Sequence, residues 1–442
     1  MQIEECEITM FSFRKTIFWL LDRFKGGKIK KEYDDIKCIF ELSDGYQEKI
    51  DMYTSDLLQY AAQHTNFYCS YKNKKLSEFP VVNKSIIKDH IDDISSDEYK
   101  GKQLHEMHTS GSTGTPFVSR QNEKKRNRVL AELIYFGEKA GYQLGERYIF
   151  FRVWMEANKK SKIESFKQNL IPVDILHLDD DNLEQIRLLL LKDQKIKYLL
   201  AYASTYDKLS KYLEKWKHKP EDFSIHTIIS SSEVLQSSTR ERLKRIFGCN
   251  VISRYSNQEN GILAQDNTVA DEYEINNASY VIEILRLDSD EPVSEGETGR
   301  IVVTDLFNYA MPFIRYDTGD VGTLSFRKTK SGDKIPIIKC IGGRMVDMIY
   351  DTKGTPLTPH TWSVYMWKFD KLNQYQFIQN GERDYLLKIN VQEGVYTDEE
   401  LAEHLKSVLG QDANIEIQRV SDIPVLASGK FKKTVCNYKK DD

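Results

Sequence analysis

Three features that mark other classes of protein are missing from this sequence: clustered cysteines, an excess of charge of one sign, and long apolar runs. The six cysteines lie far apart with no C-x-x-C pair among 442 residues, which fits a reducing cytoplasm better than a disulfide framework or a zinc site. The formal net charge of -4, from 63 basic and 67 acidic residues, indicates no nucleic-acid footprint. No run approaches the roughly 20 apolar residues of a spanning helix, so we expect a soluble, cytoplasmic protein.

The N-terminal segment joins an apolar stretch to a basic one. Residues 11–21 are mostly apolar and aromatic, with Arg14 and Lys15 inside the stretch, and no small-residue cleavage site follows, so a signal peptide is not indicated. Two interpretations are open: a helix that docks on the rest of the protein, or a helix that lies on a membrane surface and gives peripheral association. The basic residues that follow are Arg23, Lys25, Lys28, Lys30 and Lys31.

The most distinctive run, residues 108–116, is rich in hydroxyl side chains and glycine. Glycines let the backbone turn so that successive N–H groups face one anion, and hydroxyls add donors without bulk. The run therefore suits phosphate binding, although the lysine of a Walker loop is absent and a flexible linker is the alternative. Its candidate phosphate contacts are Thr109, Ser110, Gly111, Ser112, Thr113 and Gly114.

After this run, apolar segments of strand length alternate with amphipathic segments of helical period. Strands that alternate with helices predict right-handed crossovers and a largely parallel sheet. A helical preamble is expected before the run, to about residue 100. The predicted helix over 123–141 and strand over 148–153 are followed by strand and helix pairs at 171–173 and 183–191, 198–201 and 205–216, and 227–229 and 237–247.

From Val251 onward the pattern becomes β-rich, and a smaller, antiparallel-leaning subdomain is expected from about residue 260. Beyond Gly343, three strands and one helix predict a small α+β domain. The expected fold is thus α/β, with a large N-terminal domain over residues 1–345, containing mainly parallel sheets plus the β-rich subdomain, and a small mobile C-terminal domain over 346–442. The strands of the C-terminal domain are predicted at 373–379, 385–391 and 414–420, and its helix at 397–409.

Five further polar segments follow the hydroxyl-rich run, each a common turn or solvated end when taken alone. In order and spacing they resemble the adenylate-forming superfamily, the acyl-CoA synthetases and their relatives, over nearly the whole chain. The version of the loop found here, preceded by residues 79–84, is similar to the phenylacetate-CoA ligase-like branch, and most narrowly to CapK-like proteins of capsular polysaccharide synthesis. The five segments are residues 231–233, 255–259, 315–320, 342–347 and 428–430.

The resemblance implies a ligase that uses ATP and Mg²⁺, with the hydroxyl-rich run cradling the β- and γ-phosphates. Glu259 is the expected Mg²⁺ ligand, a hard oxygen donor. Lys430 is the expected catalytic residue, because its ammonium would bridge the substrate carboxylate and the α-phosphate as negative charge builds. No general base is needed, since a carboxylate with a pKa of about 4 is ionised at neutral pH. The other implied nucleotide contacts are Ser231, Ser232 and Glu233 at the adenine edge, Tyr255 stacked on adenine, Asp320 on the ribose hydroxyls, and Arg344 on ribose or phosphate.

The sequence departs from the family pattern at several positions. Phe117 follows Pro116 where a lysine is common, which leaves less positive charge for the leaving pyrophosphate. Ser256 and Gln258 replace a glycine and a hydroxyl residue. Val346 stands at the expected hinge in place of Asp or Lys, which weakens the expectation of a domain swing and of the half-reaction that forms a thioester.

The implied function is adenylation of a carboxylic acid, then acyl transfer to CoA or to an amine, in cell-surface polysaccharide synthesis. The acyl pocket is expected between the strand that ends near Tyr202 and the Tyr255 segment. Two alternatives stay open: transfer of AMP to a hydroxyl, and a nucleotide-binding component of a polysaccharide assembly complex that lacks catalysis. Retention of Lys430, Asp320 and Glu259 favours the enzyme. The sequence leaves open which acid and acceptor are used, and whether the protein is a monomer or a homodimer.

Overall fold

A computed structural model shows the chain as two compact units. The first comprises Met1–Thr318 and Thr323–Lys339, and the second comprises Gly319–Gly322 and Cys340–Asp442. The predicted domain boundary between 345 and 346 lies outside the described residues, as do the side chains of residues 2–12, 108–109, 117, 342–344 and 356. The described residues are 2–41, 46–109, 117–154, 159–175, 178–266, 269, 271–328, 334–344, 348–357, 362, 365–366, 368–369, 371–424 and 432–438.

The first unit begins with helices, as predicted. The carboxylate of Asp22 accepts the backbone N–H groups of Ile29 and Lys30 at 3.1 and 2.9 Å and so fixes the turn between the first two helices. No helix in the described part of the chain is long and apolar enough to cross a membrane. The helices are α1 Gln2–Phe24, α2 Lys28–Glu41, α3 Tyr46–His64, α4 Lys84–Asp89 and α5 Ile91–Ile94, with short 3₁₀ turns at Cys69–Tyr71, Leu76–Glu78 and Asp97–Tyr99.

A two-stranded hairpin flanks the hydroxyl-rich run. Strands β1 His105–Thr109 and β2 Phe117–Gln121 pair antiparallel, with Thr109 opposite Phe117. Helix α6 Glu123–Ala140 follows; the Asn122 side chain caps its start, and Gly141 ends it with a φ of 106°, a conformation that favours glycine. The sequence predicted this helix but not the two strands, because five residues of mixed polarity carry little periodic signal.

The parallel part of the main sheet follows the predicted alternation. Strands β3 to β7 stand in the order β4-β3-β5-β6-β7, and each adjacent pair is parallel. Helices pack on apolar side chains of this sheet, among them Phe151, Leu199 and Ile228. The elements are β3 Arg147–Arg152, α7 Lys162–Gln168, β4 Leu170–Asp174, α8 Asp180–Lys192, β5 Ile196–Tyr202, α9 Ala203–Glu214, a 3₁₀ turn at Pro220–Asp222, β6 Thr227–Ser231, α10 Ser237–Phe247 and β7 Asn250–Asn257.

The β-rich region predicted from about residue 260 extends the same sheet. Its strands bring the sheet to 11 strands in the order β10-β11-β12-β13-β9-β8-β7-β6-β5-β3-β4. The pairs β7–β8, β8–β9, β9–β13 and β10–β11 are antiparallel. The strands are β8 Gly261–Gln265, β9 Glu272–Ile275, β10 Tyr280–Leu285, β11 Thr298–Asp305, β12 Tyr316–Lys328 and β13 Lys334–Arg344.

A buried charged cluster joins α6 to this antiparallel part of the sheet. Lys125 Nζ lies 2.7 Å from Asp305 Oδ2 and donates to the Tyr280 hydroxyl at 2.9 Å. All three side chains are fully buried. Burial also raises the pKa of the neighbouring Glu132 carboxyl. Charges buried in this way must stay paired, so the cluster fixes how α6 sits on the sheet.

The second unit contains a four-stranded sheet, of which the sequence predicted three strands and the helix over 397–409 but not the short strand at Thr434–Cys436. Its strand order is β18-β17-β16-β19, and Phe377, Leu387 and Leu401 belong to its apolar core. The elements are β14 Ile349–Tyr350, β15 Pro356–Leu357, β16 Gln374–Gln379, β17 Asp384–Asn390, α11 Asp398–Leu409, β18 Asn414–Arg419 and β19 Thr434–Cys436.

Candidate functional site

Two of the predicted site segments, and the strand end expected at the acyl pocket, lie at one edge of the parallel sheet. Tyr202 at the end of β5 pairs with Ser231 at the end of β6, and Ser231 pairs with Arg254 near the end of β7. Ser232 and Tyr255 are the residues directly after these two paired positions. The carboxyl ends of parallel strands are where open α/β sheets bind ligands. The sheet therefore brings the predicted adenine-edge and adenine-stacking segments together.

The segment after β6 has a defined conformation. Ser232 adopts a φ of 69°, in the left-handed region. Glu233 Oε2 accepts the backbone N–H of Ser204 at 2.7 Å, in the first turn of α9. A carboxylate at this position is stabilised by the unpaired N–H groups and the dipole of the helix. The Glu233 carboxylate thus has a structural partner of its own, in addition to the nucleotide role that the resemblance implies.

Tyr255 is held by a short hydrogen-bonded chain. Its side chain is mostly buried, and its hydroxyl donates to Thr318 Oγ1 at 3.2 Å. The Thr318 hydroxyl in turn donates to the Ile301 carbonyl at 2.9 Å. These two bonds fix the direction of the phenol and so orient the ring. A ring held in one orientation can stack on a base with little loss of side-chain entropy.

Glu259 lies in the turn between β7 and β8 with its side chain buried. Its Oε1 is 2.6 Å from Lys84 Nζ and accepts the Tyr316 hydroxyl at 3.3 Å. Its backbone carbonyl accepts Gln121 Nε2, at the end of β2, at 3.0 Å. The predicted metal ligand is therefore anchored to α4, to β12 and to the hairpin that flanks the hydroxyl-rich run. A buried carboxylate needs such partners to offset the loss of hydration.

Lys84 was not predicted as a site residue. It is the first residue of α4, and the Asn83 side chain caps this helix by accepting the Ile86 N–H at 3.0 Å. In the sequence, residues 79–84 indicate only a branch of the superfamily. The contact between Lys84 and Glu259 joins residues far apart in the chain, so no local pattern could have revealed it.

Arg152 adds a cation at the same edge of the sheet. It is the last residue of β3, and its guanidinium lies over the rings of Phe150 and Trp154 at 5.6 and 5.7 Å from their centroids. Burial raises the pKa of Tyr202, and the positive charge of Arg152 opposes this rise. Tyr206, which lies near these residues in the sequence, is instead fully buried in the core, and its hydroxyl donates to the Ile229 carbonyl.

The other predicted site residues fall in three places. Thr109 ends β1, with its side chain not described, and residues 110–114 lie outside the described residues. Asp320 is half-buried on β12 and belongs to the second unit. Arg344 ends β13 and its side chain is not described, while Val346 and Lys430 lie outside the described residues. The roles of these residues stay predictions.

The residues present can be tested for Mg²⁺. No group of three or more His, Cys, Asp or Glu side chains suited to a metal occurs among the described residues. Mg²⁺ in nucleotide sites uses only one or two protein carboxylates together with phosphate oxygens and water. The single buried carboxylate of Glu259, whose shortest contacts both use Oε1, fits that pattern. It does not fit a metal held by protein ligands alone.

A family model and a ligase match this sequence. Residues 349–437 match the model of the CapK C-terminal domain. A phenylacetate-coenzyme A ligase from Thermus thermophilus is 23% identical over 283 residues. That match covers 62% of this chain and 62% of the relative, so the chain spans less than two thirds of the relative's length. These matches support the branch that the motifs indicated.

Solved structures confirm the expected fold. A 2-hydroxyisobutyryl-CoA ligase in the postadenylation state, bound to R3-HIB-AMP, aligns with a TM-score of 0.69 at 15% identity and covers 88% of this chain and 89% of its own. The same enzyme with 2-HIB-AMP and CoA in the thioesterification state aligns at 0.57 and 17% identity, covering 89% and 90%. ATP-bound MatB from Rhodopseudomonas palustris aligns at 0.54 and 14%, covering 74% and 66%. At these identities the likeness is one of fold.

Proposed function

The chain has the fold of the adenylate-forming ligases and a C-terminal domain of the CapK type, and from this premise we propose that it activates a carboxylic acid with ATP and transfers the acyl group to CoA or to an amine. The observation that carries the proposal is the arrangement at the carboxyl edge of the sheet. There an oriented tyrosine, Tyr255, lies on strand β7, and the turn that follows this strand holds a buried carboxylate, Glu259, anchored to the phosphate-loop hairpin.

In the first half-reaction, a carboxylate oxygen of the substrate bonds to the α-phosphorus of ATP. The bond from that phosphorus to the bridging oxygen breaks, and pyrophosphate leaves with its electron pair. The substrate is already ionised, so the protein need only position the two reactants and balance their charge. Tyr255 positions the base by stacking, and Lys430 balances charge at the reacting centre.

The second half-reaction transfers the acyl group from the adenylate. The sulfur of a thiol or the nitrogen of an amine bonds to the acyl carbon and gives up its proton to water. The bond from that carbon to the phosphate oxygen breaks, and AMP leaves with the electron pair. Glu259 is the proposed Mg²⁺ ligand, and bound Mg²⁺ would neutralise charge on the phosphate oxygens. Lys84 supplies a cation beside Glu259. We propose that it compensates for the lysine missing after Pro116, since Glu259, its partner, also accepts Gln121 Nε2 from the strand that begins at Phe117.

The proposed setting is cytoplasmic synthesis of a cell-surface polysaccharide. Support for it comes from the CapK match over residues 349–437. The proposed substrate is a small carboxylic acid whose acyl part lies near Tyr202 and Tyr255. No contact among the described residues selects the acceptor, so both CoA and amines are assayed as acceptors.

The test is ATP-dependent release of pyrophosphate across a panel of carboxylic acids, with and without CoA and with and without amines. Release that needs an acid and yields an acyl-AMP by mass spectrometry is the expected result. Stimulation by an amine but by no thiol would remove the CoA version, and AMP found on a hydroxyl would replace acyl transfer by AMP transfer. No release with any acid, while ATP still binds, would leave a binding component without catalysis.

A variant at Lys430 tests the mechanism separately. We expect Lys430→Ala to abolish formation of the adenylate while ATP binding survives, because the ammonium acts on charge that develops in the transition state. The matched control is Lys371→Ala, an exposed lysine of the second unit, which should keep wild-type release. Wild-type release in the Lys430 variant would remove its catalytic role.

A further inference from the structure

The outer face of α1 carries five large apolar side chains that are exposed to solvent. Their spacing of three and four residues places them on one face of the helix. Single exposed apolar residues are ordinary, but a contiguous stripe marks an interaction surface. The stripe consists of Phe13, Ile17, Leu20, Leu21 and Phe24, with 62%, 37%, 46%, 55% and 86% of each residue exposed.

The opposite face of α1 is fixed to the protein. Lys15 Nζ lies 2.8 Å from Glu138 Oε1 on α6. The Trp19 ring packs against Tyr33 of α2 at a centroid distance of 5.6 Å. Asp22 is buried and accepts two N–H groups at the start of α2. With three contacts on one side, the helix cannot rotate its apolar stripe inward.

Helix α7 extends the apolar surface beside α1. Arg14 Nη1 donates to the Phe166 carbonyl at 2.7 Å, and the Arg14 guanidinium lies 4.9 Å over the Phe166 ring. Ile163 and Phe166 of α7 are 68% and 72% exposed. The surface is thus built from two helices that are tied to each other, and Arg14 stands at the junction between them.

The charge around this surface is positive. Arg23, Lys25 and Lys31 are exposed and have no acidic partner among the described residues. On α7, Lys162 and Lys167 are exposed, whereas the Glu164 carboxylate accepts the backbone N–H of Ser161 at the start of that helix. A second copy of this surface would bring the same cations face to face, which is unfavourable. An anionic partner with an apolar interior is complementary to both features.

We infer that this surface, the stripe on α1 together with Ile163 and Phe166 of α7, binds an anionic lipid bilayer. Helix α1 then lies in the plane of the interface. Its apolar stripe enters the boundary between headgroups and acyl chains, and its basic residues contact lipid phosphates. Such a helix needs an apolar face and a cationic border, not the length or hydropathy of a spanning helix.

The test is co-sedimentation of the full chain with vesicles of phosphatidylcholine, with and without phosphatidylglycerol. We expect binding to the anionic vesicles that weakens as salt rises, because screening shortens the reach of surface charges. Leu20→Glu/Leu21→Glu should weaken binding more than about tenfold, since two exposed leucines lose their transfer into lipid. The matched control is Leu188→Glu on α8, where the leucine is 50% exposed.

A second pair of variants tests the charge. Arg23→Gln/Lys25→Gln/Lys31→Gln should reduce binding to anionic vesicles, whereas the same change at three other exposed lysines should not. Circular dichroism checks that each variant is folded. Equal binding to neutral vesicles, or no vesicle binding together with a dimer that the double glutamate variant dissociates in sedimentation velocity, would overturn the inference. The control lysines are Lys192, Lys195 and Lys353.

Discussion

Lys84 and Glu259 form an ion pair with 2.6 Å between Nζ and Oε1, across the first turn of α4 and the turn that follows β7. Only 3% of the Glu259 side chain is exposed, against 36% for Lys84. A carboxylate buried to this degree depends on its partner, whereas the lysine keeps one side toward solvent. The pair therefore places the Lys84 cation nearer to solvent and the Glu259 carboxylate below the surface.

We expect Lys84→Met to lower kcat/KM for pyrophosphate release about 10- to 100-fold, because a cation near the developing phosphate charge is removed and Glu259 loses its partner. Glu259→Gln should lower it to a similar degree. Steady-state assays of both variants and of the double variant measure the coupling between them. The control is Lys88→Met, one turn further along α4 and exposed, which should leave kcat/KM unchanged. Additive effects of the two substitutions would contradict a shared role.

The sequence predicted the alternating strands and helices of the parallel sheet and the elements of the C-terminal domain, because these carry clear apolar periods. The strand predicted at 373–379 is β16 Gln374–Gln379, and the helix predicted at 397–409 is α11 Asp398–Leu409. The hairpin β1–β2 was missed because its ten residues alternate only weakly. The local sequence pattern predicts such strands poorly when their pairing with another strand is what stabilises them.

Motif order brought Tyr255, Glu233 and Glu259 into one candidate site, and the register of β5, β6 and β7 supports that grouping. The contacts of these side chains could not be predicted in the same way. The bond from Tyr255 to Thr318 and the pair of Glu259 with Lys84 join distant parts of the chain, and their geometry depends on the sheet being formed.

Tyr255 offers a direct test of base stacking. Loss of an aromatic ring that stacks on a base costs about 1–3 kcal/mol, so Tyr255→Ala should weaken ATP binding roughly 5- to 150-fold. Tyr255→Phe keeps the ring and loses only the hydrogen bond to Thr318, so it should stay within a few-fold of wild type. Titration with ATP by calorimetry measures both variants. Equal losses in the two would point to the hydroxyl in place of the ring.

Glu233 has a structural contact that can be separated from a nucleotide role. Its carboxylate caps the first turn of α9 at Ser204, and loss of such a cap costs about 1 kcal/mol of unfolding free energy. We expect that loss in Glu233→Ala, and a smaller one in Glu233→Gln, which keeps an acceptor oxygen. Urea unfolding gives the free energies. ATP affinity of both variants is measured as well. If it falls in Glu233→Ala, while Glu233→Gln keeps both its ATP affinity and its stability, then the acceptor oxygen serves both the helix cap and the nucleotide contact.

The buried pair of Lys125 and Asp305 should dominate the stability of the first unit. Lys125→Met leaves a carboxylate without its cation at a fully buried position, which is expected to cost about 3–5 kcal/mol of unfolding free energy. The adjacent Lys124→Met, at an exposed position, is the control and should change the free energy by less than about 1 kcal/mol. Chemical denaturation measures both. A small loss in Lys125→Met would mean that another donor, such as the Tyr280 hydroxyl, replaces Lys125 at Asp305.

Cys249 provides a test of packing that depends on pH. Burial raises the pKa of its thiol from 9.0 to about 12. Only the thiolate reacts with alkylating reagents, so at pH 8 a thiol with this pKa is ionised in about one molecule in ten thousand. We expect iodoacetamide to label the exposed Cys38 and Cys69 first and Cys249 only after unfolding in urea, as mapped by mass spectrometry. Because the folded pKa is raised, this thiol stabilises the fold fully below pH 9 and progressively less as pH rises toward 12. Rapid labelling of Cys249 at pH 8 without urea would show that the segment between α10 and β7 opens to solvent.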